Sequence, residues 1–121
     1  MTFRQLGLAL ALALPVSLSA CLEQSCDLIF IPALNISVID DQGDPVEGAN
    51  VTFTVANSDA AGDCAEDGVG VYTCGPESGD YTILVEADGF EAGEAMVSVG
   101  STDDGCHPET EQVEIALAPA P

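Results

Sequence analysis

The chain has 121 residues, 47% of them hydrophobic, with 21 Asp and Glu against one basic side chain, Arg4, for a formal net charge of −20. That length supports one domain with a modest core, and the apolar content is too high for a disordered chain. Every acidic residue lies at or after Glu23 and no Lys or Arg follows Arg4, which excludes binding nucleic acid by phosphate neutralisation and docking on anionic lipid through a polybasic patch.

The chain opens as an export signal. Met1 to Arg4 is a short positive start, and Leu6 to Leu14 (LGLALALAL) is an apolar run that Pro15 ends. Leu18-Ser19-Ala20-Cys21 follows, so the order is charged, apolar, then small residues at a cleavage site. The apolar run is too short to span a bilayer, which needs about 20 residues. Leu18-Ser19-Ala20-Cys21 resembles the lipobox of bacterial lipoproteins. In that class the cysteine thiol takes a diacylglyceryl group and the signal is cut just before it. The resemblance implies a lipid-modified Cys21 and a cell-envelope address. Leu22 stands where an Asp often signals inner-membrane retention, so the implied destination is the outer membrane. One acyl chain anchors marginally and two or more hold stably, and a body without cations leaves the anchoring to lipid.

Five cysteines occur, at 21, 26, 64, 74 and 106. With Cys21 lipidated, four remain, an even number that reads as two disulfides in an exported domain. Three pairings are open. The spacing favours Cys64 with Cys74, ten residues apart across a Gly-containing segment. Cys26 with Cys106 would then tie the N-terminal segment to the loop before the last strand. Metal ligation by cysteine is disfavoured, because the chain has no C-x-x-C and a single histidine, His107.

The rest reads as strands and turns. Asp27 to Leu34 is an apolar approach interrupted by Pro32; Leu34, Ile36 and Val38 then alternate with Asn35 and Ser37, a half-buried strand. Asp41 to Pro45 is dense in turn formers, and Val51, Phe53 and Val55 alternate with threonines in a second strand. Ala56 to Gly68 is polar and loop-like. Val69 to Cys74 is a short strand with Tyr72 inward, and Gly75 to Gly79 is a turn. Tyr81, Ile83, Val85 and Ala87 give the clearest alternation, with Phe90 placed to plug one end of the core. Ala95, Val97 and Val99 mark the next strand, Ser101 to Pro108 a loop, and Val113, Ile115 and Leu117 the last strand, before a frayed tail. Six or seven short strands separated by turns predict an all-β two-sheet sandwich.

Two stretches resemble the carboxypeptidase regulatory-like domain family. Val38-Ile-Asp-Asp-Gln-Gly43-Asp-Pro45-Val46-Glu-Gly48-Ala49-Asn-Val51 is similar to its opening hairpin, V-x-D-x-x-G-x-P-[VIL]-x-G-A-x-V. Gly79 to Phe90 is similar to its second signature, G-x-Y-x-[IL]-x-[VA]-x-A-x-G-[FY]. The resemblance implies a transthyretin-like, seven-stranded Greek-key β-sandwich and a non-catalytic accessory role. Its motif residues have structural tasks: Gly43, Pro45 and Gly48 shape the turn, and Tyr81 and Phe90 fill the core. The expected organisation is a signal peptide at 1–20, lipidated cysteine and tether at 21–33, sandwich at 34–118 and tail at 119–121.

No catalytic set emerges. His107 stands beside Pro108 and no G-x-S-x-G elbow is present, so a small hydrolase is the remote alternative. Calcium is the leading cofactor candidate, with Asp40, Asp41 and Asp44 in one turn and Asp103 and Asp104 in another. Loop carboxylates suit calcium, but the EF-hand spacing is absent and Asp is also a common turn former. The expectation is a lipid-anchored envelope protein with no obligatory cofactor, whose partner is an envelope protein or a glycan. The alternative is a calcium-stabilised accessory subunit of an envelope assembly.

Overall fold

The computed structural model describes Cys26 and residues 29–121. The expected signal and Cys21 lie outside the described residues. Among those described, alternating apolar and polar residues form eight strands: β1 (Leu34–Ile39), β2 (Asn50–Val55), β3 (Ala61–Asp63), β4 (Ala65–Glu66), β5 (Val71–Cys74), β6 (Gly79–Glu86), β7 (Gly93–Val99) and β8 (Glu111–Ala116). They make two four-stranded sheets, ordered β4-β5-β1-β8 and β3-β2-β6-β7. The fold is thus the all-β sandwich read from the sequence. The non-sequential strand order means that the chain crosses between the sheets.

The strand count corrects the expected seven. β3 and β4 lie in the stretch read as a loop. Their residues are mostly exposed, so they carry no alternation to read; they are edge strands recruited by neighbours that do. The strand expected from Val69 begins at Val71, with Val69 left exposed. Ala33, assigned above to the tether, is fully buried, its N–H donating to Gly75 and its carbonyl accepting from Glu111. The tail is also not frayed. Glu91 N–H donates to Ala118 O and Ala120 N–H to Gly89 O, pinning the chain end across the turn that carries Phe90.

β1 is an inner strand of its sheet. It pairs antiparallel with β5 and parallel with β8, Leu34 opposite Glu111 through Ile39 opposite Ala116. Leu34, Ile36 and Val38 are all 0% exposed, because partners cover both edges and the second sheet covers the inner face. Facing them are Val51, Phe53 and Val55 of β2 and Tyr81, Ile83 and Val85 of β6. The rings of Phe53 and Tyr81 lie 5.5 Å apart, tilted by 45°. Phe90 is half-buried against this core.

Cys64 is the corner between the sheets. Its N–H donates to Val51 O, ending the β2–β3 ladder in one sheet. Its side chain then bonds Cys74 in the other. β4 and β5 pair Ala65 with Thr73, so Cys64 and Cys74 occupy the next opposed position, with Cα atoms 4.7 Å apart. Opposed residues in an antiparallel pair have that spacing. The second bond joins Cys26 to Cys106 across 80 residues. Loop-closure entropy gives the shorter link about 3 kcal/mol and the longer about 4.5 kcal/mol.

Tyr72, 1% exposed, crosses the core from β5. Its hydroxyl donates to Val46 O at 2.8 Å and accepts from Ala49 N–H at 3.0 Å. One buried side chain thereby fixes the segment leading into β2. Tyr81 acts likewise at the other end of the sandwich, donating to Glu77 O at 2.6 Å. Burial raises the pKa of both phenols above the usual value, and nearby carboxylates (Glu66 and Glu47 for Tyr72, Glu77 for Tyr81) push the same way.

Two outcomes follow from these tyrosines. Tyr72→Phe keeps the packing but strands the Val46 carbonyl and the Ala49 N–H, and should cost about 1–3 kcal/mol in urea unfolding. An unchanged midpoint would show that water replaces the hydroxyl. Both phenols bind their protons more tightly folded than unfolded. Their contribution is therefore complete below the ordinary tyrosine range and is lost as pH rises through the raised folded values. With no Trp and two Tyr in the chain, tyrosinate absorbance should appear together with loss of β-sheet circular dichroism in an alkaline titration, not before it.

Candidate functional site

The sequence places its chemistry-bearing side chains at the two ends of the sandwich. At one end is the β1–β2 turn with Asp40, Asp41 and Asp44. At the other is the β7–β8 loop with Asp103, Asp104, Cys106 and His107.

In the first turn the Asp40 carboxylate faces its own backbone. Its Oδ1 accepts from Gln42 N–H at 2.8 Å and from Asp44 N–H at 2.9 Å, while Asp40 N–H donates to Asp44 O at 2.9 Å. This is a side-chain-closed turn. Asp41 and Asp44 are exposed. Among the described residues no group of three or more His, Cys, Asp or Glu is arranged to hold a metal ion. The three candidate calcium ligands share a turn without forming a ligand set.

In the second loop Asp104 has the same task. Its Oδ1 accepts from Thr102 Oγ1 at 2.6 Å and from Cys106 N–H at 3.0 Å. These hydrogen bonds, that of Thr102 above all, hold its carboxyl below the usual pKa, with a smaller contribution from the neighbouring His107. The loop is closed by a bridge between Ser101 and Pro108. His107 makes its hydrogen bonds through its backbone, Thr102 N–H donating to its carbonyl at 2.8 Å. A shallow depression of about 150 Å³ runs past His107, Glu77, Ser78 and Ser101. The two serines there bond each other, Ser101 Oγ donating to Ser78 Oγ at 3.1 Å. A nucleophile needs its base within hydrogen-bond reach, and here each hydroxyl's partner is the other serine.

Glu66 is a functional position for the fold that sequence reasoning passed over. Its Oε1 accepts from Gly48 N–H at 3.0 Å and its Oε2 from Gly70 N–H at 3.2 Å. Both glycines have positive φ, +70° and +71°. A Cβ on Gly70 would lie 2.6 Å from Pro45 Cβ, whereas one on Gly48 would meet nothing within 4 Å. Gly70 is thus required by close approach and by backbone conformation, Gly48 by conformation alone. The clamp joins the family's opening hairpin to the β4–β5 turn. Glu66 sits in an acidic, pattern-free stretch, so only the strand register reveals its reach.

A larger depression of about 400 Å³ lies at the Asp40 end of the sandwich, lined by Gly48, Asn50, Glu86, Ala87, Asp88 and Phe90. Another of about 350 Å³ lies along β6 and β7 beside Asp80, Thr82 and Met96. Carboxylates border both and no cation does, so neither suits an anionic ligand. Among the described residues no helix is long and apolar enough to cross a membrane.

The described residues thus form a two-sheet sandwich with glycine-shaped turns. The profile of the carboxypeptidase regulatory-like domain matches residues 33–117, and the chain belongs to that family. No curated protein matches it.

The Asp40 turn predicts a calcium response. Because its carboxylate is engaged by backbone N–H groups, millimolar calcium should leave the melting temperature unchanged. A rise that a chelator reverses would establish calcium as a stabilising ligand.

Proposed function

We propose that this protein is a lipid-anchored component of the bacterial cell envelope. Its β-sandwich serves as a non-catalytic spacer or interaction module facing an envelope protein or glycan. The observation that carries the reading is Leu18-Ser19-Ala20-Cys21 directly after an apolar run and a single positive charge. Membership of a family of non-catalytic accessory domains supports the module's passive role. The pair of disulfides supports an oxidising, exported setting. Leu22 after the cysteine favours the outer membrane. The uncompensated acidic surface keeps the domain soluble and repels anionic lipid, which leaves the acyl chains to hold it.

Cys21→Ala should move the protein from the membrane to the soluble fraction; retention in the membrane would remove the lipid anchor. The facing side is read by proteinase K on intact cells with a C-terminal tag. Trypsin is of no use, since no Lys or Arg follows Arg4. Loss of the tag from intact cells marks a surface-facing module, and survival until the envelope is broken marks a periplasmic one.

A further inference from the structure

Most exposed apolar side chains on this domain stand singly, as on any soluble protein. Val69, 61% exposed, sits alone in a turn, and Met96, 80% exposed, lies on the outer face of β7. Ile29, Phe30 and Ile31 differ. They are consecutive and 68%, 65% and 36% exposed. The chain is held on both sides of them. Cys26 is bonded to Cys106, and the Pro32 carbonyl accepts from Thr110 Oγ1 at 2.7 Å. An apolar tripeptide is thereby displayed from a short span stapled to the β7–β8 loop, not from a free end.

We infer that Ile29-Phe30-Ile31 is a membrane-contact segment that enters the lipid–water boundary of the bilayer carrying the anchor. The inference rests on the lipidated Cys21 proposed above. Cys21 and Cys26 are five residues apart, about 18 Å at full extension, so the anchor keeps this end of the sandwich at the membrane surface. No Lys or Arg follows Arg4 to meet lipid headgroups, so apolar insertion is the main attraction left to the body. Glu109 and Glu111 flank Thr110 beside the segment, which makes a zwitterionic surface the better host. The Cys26–Cys106 bond then sets orientation as well as stability. It fixes which end of the sandwich faces the lipid and points the Asp40 end away.

The natural chain has no Trp, so one introduced indole reports its own surroundings. The lipidated protein carrying Phe30→Trp is reconstituted in phosphatidylcholine vesicles with brominated acyl chains. The expected result is emission shifted to shorter wavelength and quenched by bromine, while Met96→Trp in the same vesicles stays water-like. Protein that floats with the vesicles but keeps a water-like indole at position 30 overturns the contact and leaves the anchor standing. Equal quenching at both positions reflects unspecific adsorption of the body and also overturns it. Protein that fails to float overturns the lipid anchor and this inference together.

Discussion

Uncompensated negative charge is the constraint from which the rest of this structure follows. No Lys or Arg lies beyond the opening residues, so carboxylates cannot be neutralised by ion pairs with those cations. Two solutions remain, exposure to water and hydrogen bonds from backbone N–H groups. Among the described residues no charged side chain is buried, which is the first solution. Asp40, Glu66 and Asp104 show the second, each accepting from backbone N–H groups of a turn. Charges that elsewhere join salt bridges here hold turns closed.

Cohesion therefore comes from apolar packing and covalent links. The core is a contiguous set of Val, Ile, Leu, Phe and Tyr between two sheets, with β1 at its centre. A domain of this size buries a limited apolar area, and self-repulsion of the acids works against it. The two disulfides offset that repulsion at different places. Cys64–Cys74 lies within the core and joins the point where the chain changes sheet to the end of β5. Cys26–Cys106 lies at the periphery and ties the segment ahead of β1 to the β7–β8 loop. Any pull on the chain ahead of Cys26 would reach that bond before it reaches β1.

The chemistry-bearing residues lie apart from one another. Asp40 and Asp104 lie at opposite ends of the sandwich, His107 makes its hydrogen bonds through its backbone, and the serines near it are paired with each other. Turn geometry accounts for Asp40 and Asp104. The family's opening signature has the same character: Gly48 supplies a backbone conformation, and Tyr72 and Glu66, from the sheet that holds β1, fasten the segment that crosses to β2 in the other sheet.

The sequence by itself determined the long strands and their inward faces, because alternation over Leu34 to Val38, Val51 to Val55 and Tyr81 to Val85 is a local signal that burial of one face imposes. It also determined the class, through glycines and prolines whose spacing is dictated by a particular turn, and it favoured the cysteine pairing that the structure contains. Tertiary structure alone decided the rest. β3 and β4 exist because β2 and β5 offer them open edges, a property of neighbours and not of Ala61 to Glu66. The parallel pairing of β1 with β8 joins residues more than seventy positions apart, and nothing local encodes a register over that distance. Glu66 and Asp40 looked alike among many acids. What separates a clamp, a closed turn and a solvated charge is which N–H groups folding brings within hydrogen-bond reach, and that is set by the packing of the two sheets.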